Sequence, residues 1–378
     1  MANTLTDLIP DLYAALDVVS RELVGMIPAV TMDARVNQAA QGQDVIVPIV
    51  PSSNSTVDIK PAMTIPAAAD QTIGNTKITI SKAKAVPFSW EGNEQVGLNS
   101  GAGYLPIRAN QMVQAMRTLT NEVESDLAAL YKTTSRAYGA AGTVPFATAG
   151  NYSDASQVLK ILKDNGAPLS DNHLVLNTGA GANFIGLQAQ AHIQGTDSIA
   201  RQGILVSTAG MDLRESGQLG QHTAGAGTTP KTGAAGFAKG ITEITITGGL
   251  GILAGDVVTF DGDTNKYVVA VDATATKLTI GAPGLVKALP AAAKDITVVA
   301  SAPRSVAFNR SAIVLATRMP ERPTEGDMAL DVMTITDPRS GLSFEVSMYP
   351  GYRKVRYEIA LAWGVKNIKP EHTVVLLG

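Results

Sequence analysis

From residue 4 to 24 apolar side chains recur at helical spacing, with Leu5, Leu8, Ile9, Leu12, Leu16, Val19 and Leu23 on one stripe and Asp7, Asp11, Asp17 and Glu22 elsewhere. This predicts an amphipathic helix. Between 44 and 90 the pattern changes to DVIVPIVP, a Pro- and Ala-rich tract around PAMTIPAAAD, and KITISKAKAVPFSW, whose short alternating runs read as strands of a long hairpin. A two-stranded ribbon with so little apolar face is marginal in water, so the segment is expected to rest on another surface. Its lysines Lys60, Lys77, Lys82 and Lys84 outnumber its acids Asp58 and Asp70, whereas the first 35 residues hold five acids against two arginines. An acidic surface of a neighbouring subunit is one resting place; a plain solvated face is the other.

From Pro106 to Tyr138 the chain reads as one long helix, with Met112, Met116, Leu119, Val123, Leu127 and Leu130 recurring every three or four residues and Gly139 marking its end. Such a helix is about 50 Å long at about 1.5 Å per residue. After a Gly- and Ala-rich break at 139–150 come a helix (Asp154 to Asn165), a strand (His173 to Leu176) and a helix (Gly179 to His192). Composition then shifts: residues 223–302 contain no arginine or methionine and balance six lysines with six acids. There ITEITIT, GDVVTF, KYVVAV, KLTI and DITVVA alternate with Gly, Asp and Asn turns, the pattern of an inserted small β-barrel. A closing hairpin, LSFEVSMY joined through Pro350-Gly351 to YRKVRYEIALAW, sets Val355, Tyr357, Ile359, Leu361 and Trp363 on one face, and TVVLL follows.

The 378 residues suffice for two or three domains, and 45% are apolar. Thirty basic against thirty-three acidic residues leave a net charge of −3, without the positive field of a dedicated nucleic-acid binder. Cysteine is absent, which excludes disulfides, thiolate metal sites and cysteine nucleophiles. The first residues carry acids where a secretory signal carries Lys or Arg, and no uncharged run supplies the roughly 20 consecutive apolar residues of a membrane span.

Candidate chemistry is sparse. In FDGDTNKY, Asp261, Asp263 and Asn265 fall at the first calcium-loop positions and Asp272, beyond it, at the twelfth, but Lys266 stands where the loop needs Gly, Asp272 is shorter than the Glu required, and strand-like runs flank the stretch, so a hairpin turn is expected. In HLVLNTGAGANFIGLQAQ, Gly179 and Gly181 follow a strand as a dinucleotide-binding turn would, yet Phe184 replaces the third glycine and no acid follows on a second strand. His173, His192, His222 and His372 show no metal spacing, and no nucleophile elbow occurs. No catalytic, cofactor-binding or metal-ligating residue is assigned, and a non-enzymatic, structural role is expected.

The order of segments resembles a tailed-bacteriophage major capsid protein of the Hong Kong 97 type, of the short-tailed-phage branch with an inserted β-barrel. ARQGILVSTAGMDLRESGQL, AFNRSAIVLATRMPERP and WGVKNIKPEH carry the local resemblance. It implies an α+β fold with an N-arm (1–45), an extended β-hairpin loop (46–90), a peripheral domain (91–149) with a spine helix at about 105–138, an axial domain (150–222), the inserted barrel (223–302), and a return to the axial and peripheral domains (303–378). It also implies a virion shell assembled in the host cytoplasm from pentamers and hexamers, enclosing double-stranded DNA by weak non-specific contact. Scaffolding and portal proteins are implied partners, a decoration protein is a further one, and neither cofactor nor membrane is. A bacterial encapsulin-type nanocompartment shell is the alternative. A nucleotide-binding enzyme built on GAGANF ranks below both.

Overall fold

The computed structural model describes residues 24–49, 61, 74–99, 104–148, 151–190, 205, 207–227, 229–337 and 340–378. The helix read at 4–24, save its last residue, and the tip of the long hairpin with Lys60 lie outside them. The chain runs through β1 (Thr31–Ala39), β2 (Asp44–Ile49), β3 (Gly74–Thr79), β4 (Lys82–Glu91), α1 (Gly92–Asn99) and α2 (Tyr104–Ala128). Next come β5 (Arg136–Tyr138), α3 (Ser153–Asp164), β6 (Asn172–Leu176), α4 (Thr178–Gln190), β7 (Asp212–Glu215) and β8 (Gln221–His222). Short strands follow: β9 (Lys231–Thr232), β10 (Glu243–Thr247), β11 (Val257–Phe260), β12 (Lys266–Val271), β13 (Lys277–Ile280) and β14 (Ile296–Val298). The chain closes with β15 (Ala302–Asn309), β16 (Ile313–Pro320), β17 (Asp331–Thr336), β18 (Ser343–Gly351), β19 (Lys354–Asn367) and β20 (Thr373–Leu377).

One sheet has the order β1-β16-β19-β18-β17, with β4 also paired to β19 along its full length, from Lys82↔Trp363 to Glu91↔Lys354. The closing hairpin read from the sequence is therefore present. Its inward row, Val355, Tyr357, Ile359, Leu361 and Trp363, packs in one apolar cluster with the α2 stripe Met112, Met116, Leu119, Val123 and Leu127. A second sheet has the order β7-β6-β15-β20-β5-β12-β13-β10-β9. Over it α3 and α4 bury Val158, Leu162, Phe184 and Leu187 against Leu174, Leu176, Val374 and Leu376. Strands β10 to β14 gather round their own apolar cluster, including Ile244, Phe260, Tyr267, Leu278 and Ile296.

The long helix is shorter than its periodicity predicts. It ends at Ala128, about 37 Å from its start at about 1.5 Å per residue, and a 3-10 turn at Ala129–Thr133 follows. The hydroxyls of Thr133 and Thr134 donate to the carbonyls of Leu130 and Tyr131 at 2.9 and 2.8 Å, satisfying the helix end locally. Arg136–Tyr138, read as helix, is instead strand β5, held parallel to β20 and antiparallel to β12. Two strands from far downstream supply its hydrogen bonds, and that tertiary pairing overrides the local helical pattern.

Candidate functional site

The first described residues are fastened to α2 by one carboxylate. Glu124 is fully buried and accepts the backbone N–H groups of Gly25, Met26 and Ile27 at 2.8, 2.7 and 3.0 Å and the hydroxyl of Ser216 at 2.7 Å. Burial pushes its pKa up even against these four donors, which favour the ionised form. Gly25 is required here, since a Cβ would sit 2.6 Å from the carbonyl oxygen of Glu215. Nothing in the sequence distinguishes Glu124 from the other acids of the helix; only the fold brings residues 25–27 to it.

The lysines of the hairpin meet acids of their own chain. Strand β4 packs against α2. There Lys82 Nζ lies 2.7 Å from Asp126 Oδ1 and 3.3 Å from Glu122 Oε1, and Lys84 also pairs with Glu122. Lys77 pairs with Asp44 across the β2–β3 ladder at 3.3 Å. A neighbouring subunit's acidic surface is therefore not needed for Lys77, Lys82 and Lys84. The second oxygen of Asp126 accepts the indole N–H of the fully buried Trp363 at 2.8 Å, which ties helix, β4 and β19 together.

The FDGDTNKY stretch is a hairpin turn between β11 and β12. Its acids are engaged within the chain: Asp263 accepts from the Asn265 backbone and side chain at 3.0 and 2.7 Å and from the Tyr267 hydroxyl at 2.7 Å, and Asp261 pairs with Lys294 at 3.0 Å. Asp272 accepts the N–H of Ala254 at 2.7 Å. Burial, then the bond to Asp263, pushes the Tyr267 pKa far above its usual value.

The GAGANF stretch, read as a strand-to-helix turn, is instead the start of α4 itself, with only Asn177 between β6 and the helix. Asn177 caps α4 by accepting the N–H of Ala180 at 2.9 Å, and Phe184 is core, ring-to-edge with Phe146 and Tyr152. A Cβ at Gly181 would lie 2.9 Å from the carboxyl carbon of Glu215, so an acid occupies the place where a phosphate would approach.

His173 is buried beside Phe308, and burial holds its pKa below the usual histidine value; His372 is lowered for the same reason. His192 lies outside the described residues. His222 joins a relay the sequence did not reveal, with Nδ1 2.8 Å from the Tyr131 hydroxyl and Nε2 2.8 Å from Asp256. Among the described residues no group of three or more acids and histidines stands where it could hold a metal ion, and no helix is long and apolar enough to cross a membrane.

A cleft of about 580 Å³ lies between β5, α3 and the β11–β12 turn. Two of its cations are engaged within the chain: Lys266 donates to the carbonyl of Gly139, and Arg136 lies 3.8 Å from Asp164 and donates to Asn165 at 3.0 Å. Nothing in it assembles a nucleophile, a base and an oxyanion pocket.

The fold is the α+β capsid-protein fold of the Hong Kong 97 type. The likeness that shows it is to the capsid structure of the cyanophage P-SCSP1u, with a TM-score of 0.50 and 12% identity over 94% of this chain and 88% of that one. A Mycobacterium phage Che8 chain is similar at a TM-score of 0.44 and 13% identity, covering 96% of this chain and 90% of its own. The capsid of a native GTA particle is similar at a TM-score of 0.47 and 12% identity, covering 94% and 90%. No family model matches the chain, and no curated protein matches it.

Proposed function

We propose that this chain is the major capsid protein of a tailed bacteriophage, a structural protein whose copies close as pentamers and hexamers into an icosahedral virion shell around double-stranded DNA. The observation that carries the reading is the whole-chain correspondence to the cyanophage capsid fold. The hairpin is compatible with it: Ile78 and Ile80 at its base are buried on the chain's own sheet beside Val314, Ala316 and Ala362, while Ile46 of β2 stays exposed, where another copy could cover it. The near-neutral charge supports it too, since a shell filled by other means needs no cationic lining.

In this reading residues 1–45 form the arm, 46–90 the extended loop, 91–149 the peripheral domain, and 150–222 with 303–378 the axial domain and its return to the peripheral one. Residues 223–302 are an inserted barrel-like domain, a reading supported by their separate apolar cluster and by the pairing of Ala302 with His222, which brings the ends of the insertion together. Scaffolding, portal and decoration proteins are its expected partners, assembly takes place in the host cytoplasm, and no catalytic step is involved.

Electron microscopy of the purified full chain, alone and co-produced with its scaffolding protein, tests the proposal. Closed hollow particles of uniform size are expected. A compact monomer under both conditions overturns it, and particles filled with a cargo protein transfer the reading to a nanocompartment shell.

A further inference from the structure

A cleft of about 260 Å³ at the C-terminal end of α2 uses its charges differently from the larger one. Ser125, Tyr131 and Lys132 line it from the helix end, and Gln218, Gln221 and Arg304 from the facing loop and strand; no carboxylate is in its wall. Arg304 is 1% exposed, and its Nε, Nη1 and Nη2 have no hydrogen-bond partner. Lys132, on the exposed rim, forms no ion pair among the described residues. Two cations therefore share one acid-free cleft.

The strand register gives Arg304 little freedom to leave. It pairs with Leu377 of β20, and its backbone N–H donates to Gly220 at 3.2 Å. Asp256 attracts the guanidinium electrostatically, but its carboxylate is engaged elsewhere, as is the neutral Tyr131 hydroxyl. The Asp256 carboxylate holds His222 at 2.8 Å, the N–H of Leu253 at 2.7 Å and that of Gly225 at 3.1 Å, and the Tyr131 hydroxyl is bonded to His222. The negative end of the α2 dipole offsets part of the charge without supplying an acceptor. A guanidinium stays charged when buried, and its five N–H groups are costly to leave unmet.

We propose that this cleft binds a small oxyanion of the size and charge of inorganic phosphate, held by Arg304 and Lys132 with Ser125, Gln218 and Gln221 as neutral donors. The volume fits such an ion with a few waters of about 30 Å³ each. A nucleic-acid backbone is the wrong occupant, because a cleft of about 260 Å³ has room for a single small ion and not for the sugars and neighbouring phosphates of a polymer. The site does not depend on the assembly reading.

Calorimetric titration of the full chain with inorganic phosphate, at constant ionic strength and with chloride as control, tests the site. Saturable binding is expected with phosphate and not with chloride. Arg304→Leu is expected to abolish it, and Lys132→Ala to weaken it by at least about tenfold. Absence of saturable binding, or an unchanged affinity in Lys132→Ala, overturns the proposal. Lys132 is exposed, so that variant decides the matter even if Arg304→Leu fails to fold.

Discussion

Glu124 Oε1 accepts the backbone N–H of Met26 at 2.7 Å, across 98 positions of sequence. The same carboxylate holds Gly25 and Ile27, so the point where the N-terminal segment joins the body is fixed by one side chain on the long helix. Glu124→Gln puts an amide NH2 against backbone N–H donors in a buried place. A loss of about 2–4 kcal/mol is expected, read by urea denaturation at fixed protein concentration.

The titration of Glu124 adds a pH signature. Its folded pKa is raised above the ordinary glutamate value by burial, so the folded chain binds this proton more tightly than the unfolded one. The associated stability is fully present below the unfolded pKa and is lost as pH rises through the folded one. Wild type is therefore expected to lose stability relative to Glu124→Gln as pH rises from about 4.5 through the folded pKa. Parallel denaturation curves across that range would show a constant difference if the carboxylate did not titrate there.

Asp126 and Glu122 both face Lys82 but differ in weight. Removing Glu122 breaks only partly exposed ion pairs, for which about 0–1 kcal/mol is expected, shrinking with added salt. Asp126→Ala also strands the indole N–H of fully buried Trp363, and about 1–3 kcal/mol is expected, largely independent of salt. Thermal melts of both variants at low and high salt separate the two.

Gly364, in β19 opposite Ala316, marks a close approach between the main sheet and the base of the long hairpin. A Cβ there would fall on the carbonyl oxygen of Thr79. Gly364→Ala is expected to cost about 1–3 kcal/mol by overpacking and to loosen the hairpin base, read as faster hydrogen exchange of the Ile80 amide that now bonds Gln43 at 2.9 Å. Unchanged exchange would mean that the strands part without strain.

Asp263→Ala removes the acceptor for Asn265 and for the buried Tyr267 hydroxyl, and about 1–3 kcal/mol is expected. Because its carboxylate is engaged by these groups, added calcium is expected to leave the melting temperature of wild type and variant unchanged. A calcium-dependent rise would restore the metal-loop reading of this turn.

Deleting 223–302 and joining the ends is geometrically easy, since Ala302 pairs with His222. The deletion also strips β12 from β5 and takes Val257 and Val268 out of the cluster they share with Ala137, Val375 and Leu377. The shortened chain is expected to express but to fold poorly or assemble aberrantly, as scored by solubility and particle morphology.

Side-chain periodicity made several elements legible. The stripe Met112 to Leu127 specified a helix and its buried face, KYVVAV was legible as a strand, and the alternation in YEIALAW specified a strand and the row that turns inward. The turn at FDGDTNKY was readable because Asp and Gly punctuate two alternating runs. Helix 154–165 and strand 173–176 appear as Ser153–Asp164 and Asn172–Leu176, and the helix read at 179–192 is present as Thr178–Gln190, its last two residues lying outside the described ones.

Pairing across distance was not legible. The strand identity of Arg136–Tyr138 depends on β12 and β20, the role of Glu124 on residues 25–27, and the isolation of Arg304 on which acids are already engaged by His222, Gly225 and Leu253. By itself the sequence determined where apolar faces lie along each element, because that follows from residues three or four apart in a helix and two apart in a strand. Only the tertiary structure decided which donors, acceptors and charges meet, because each such meeting closes a long loop and competes with every other partner the folded chain offers.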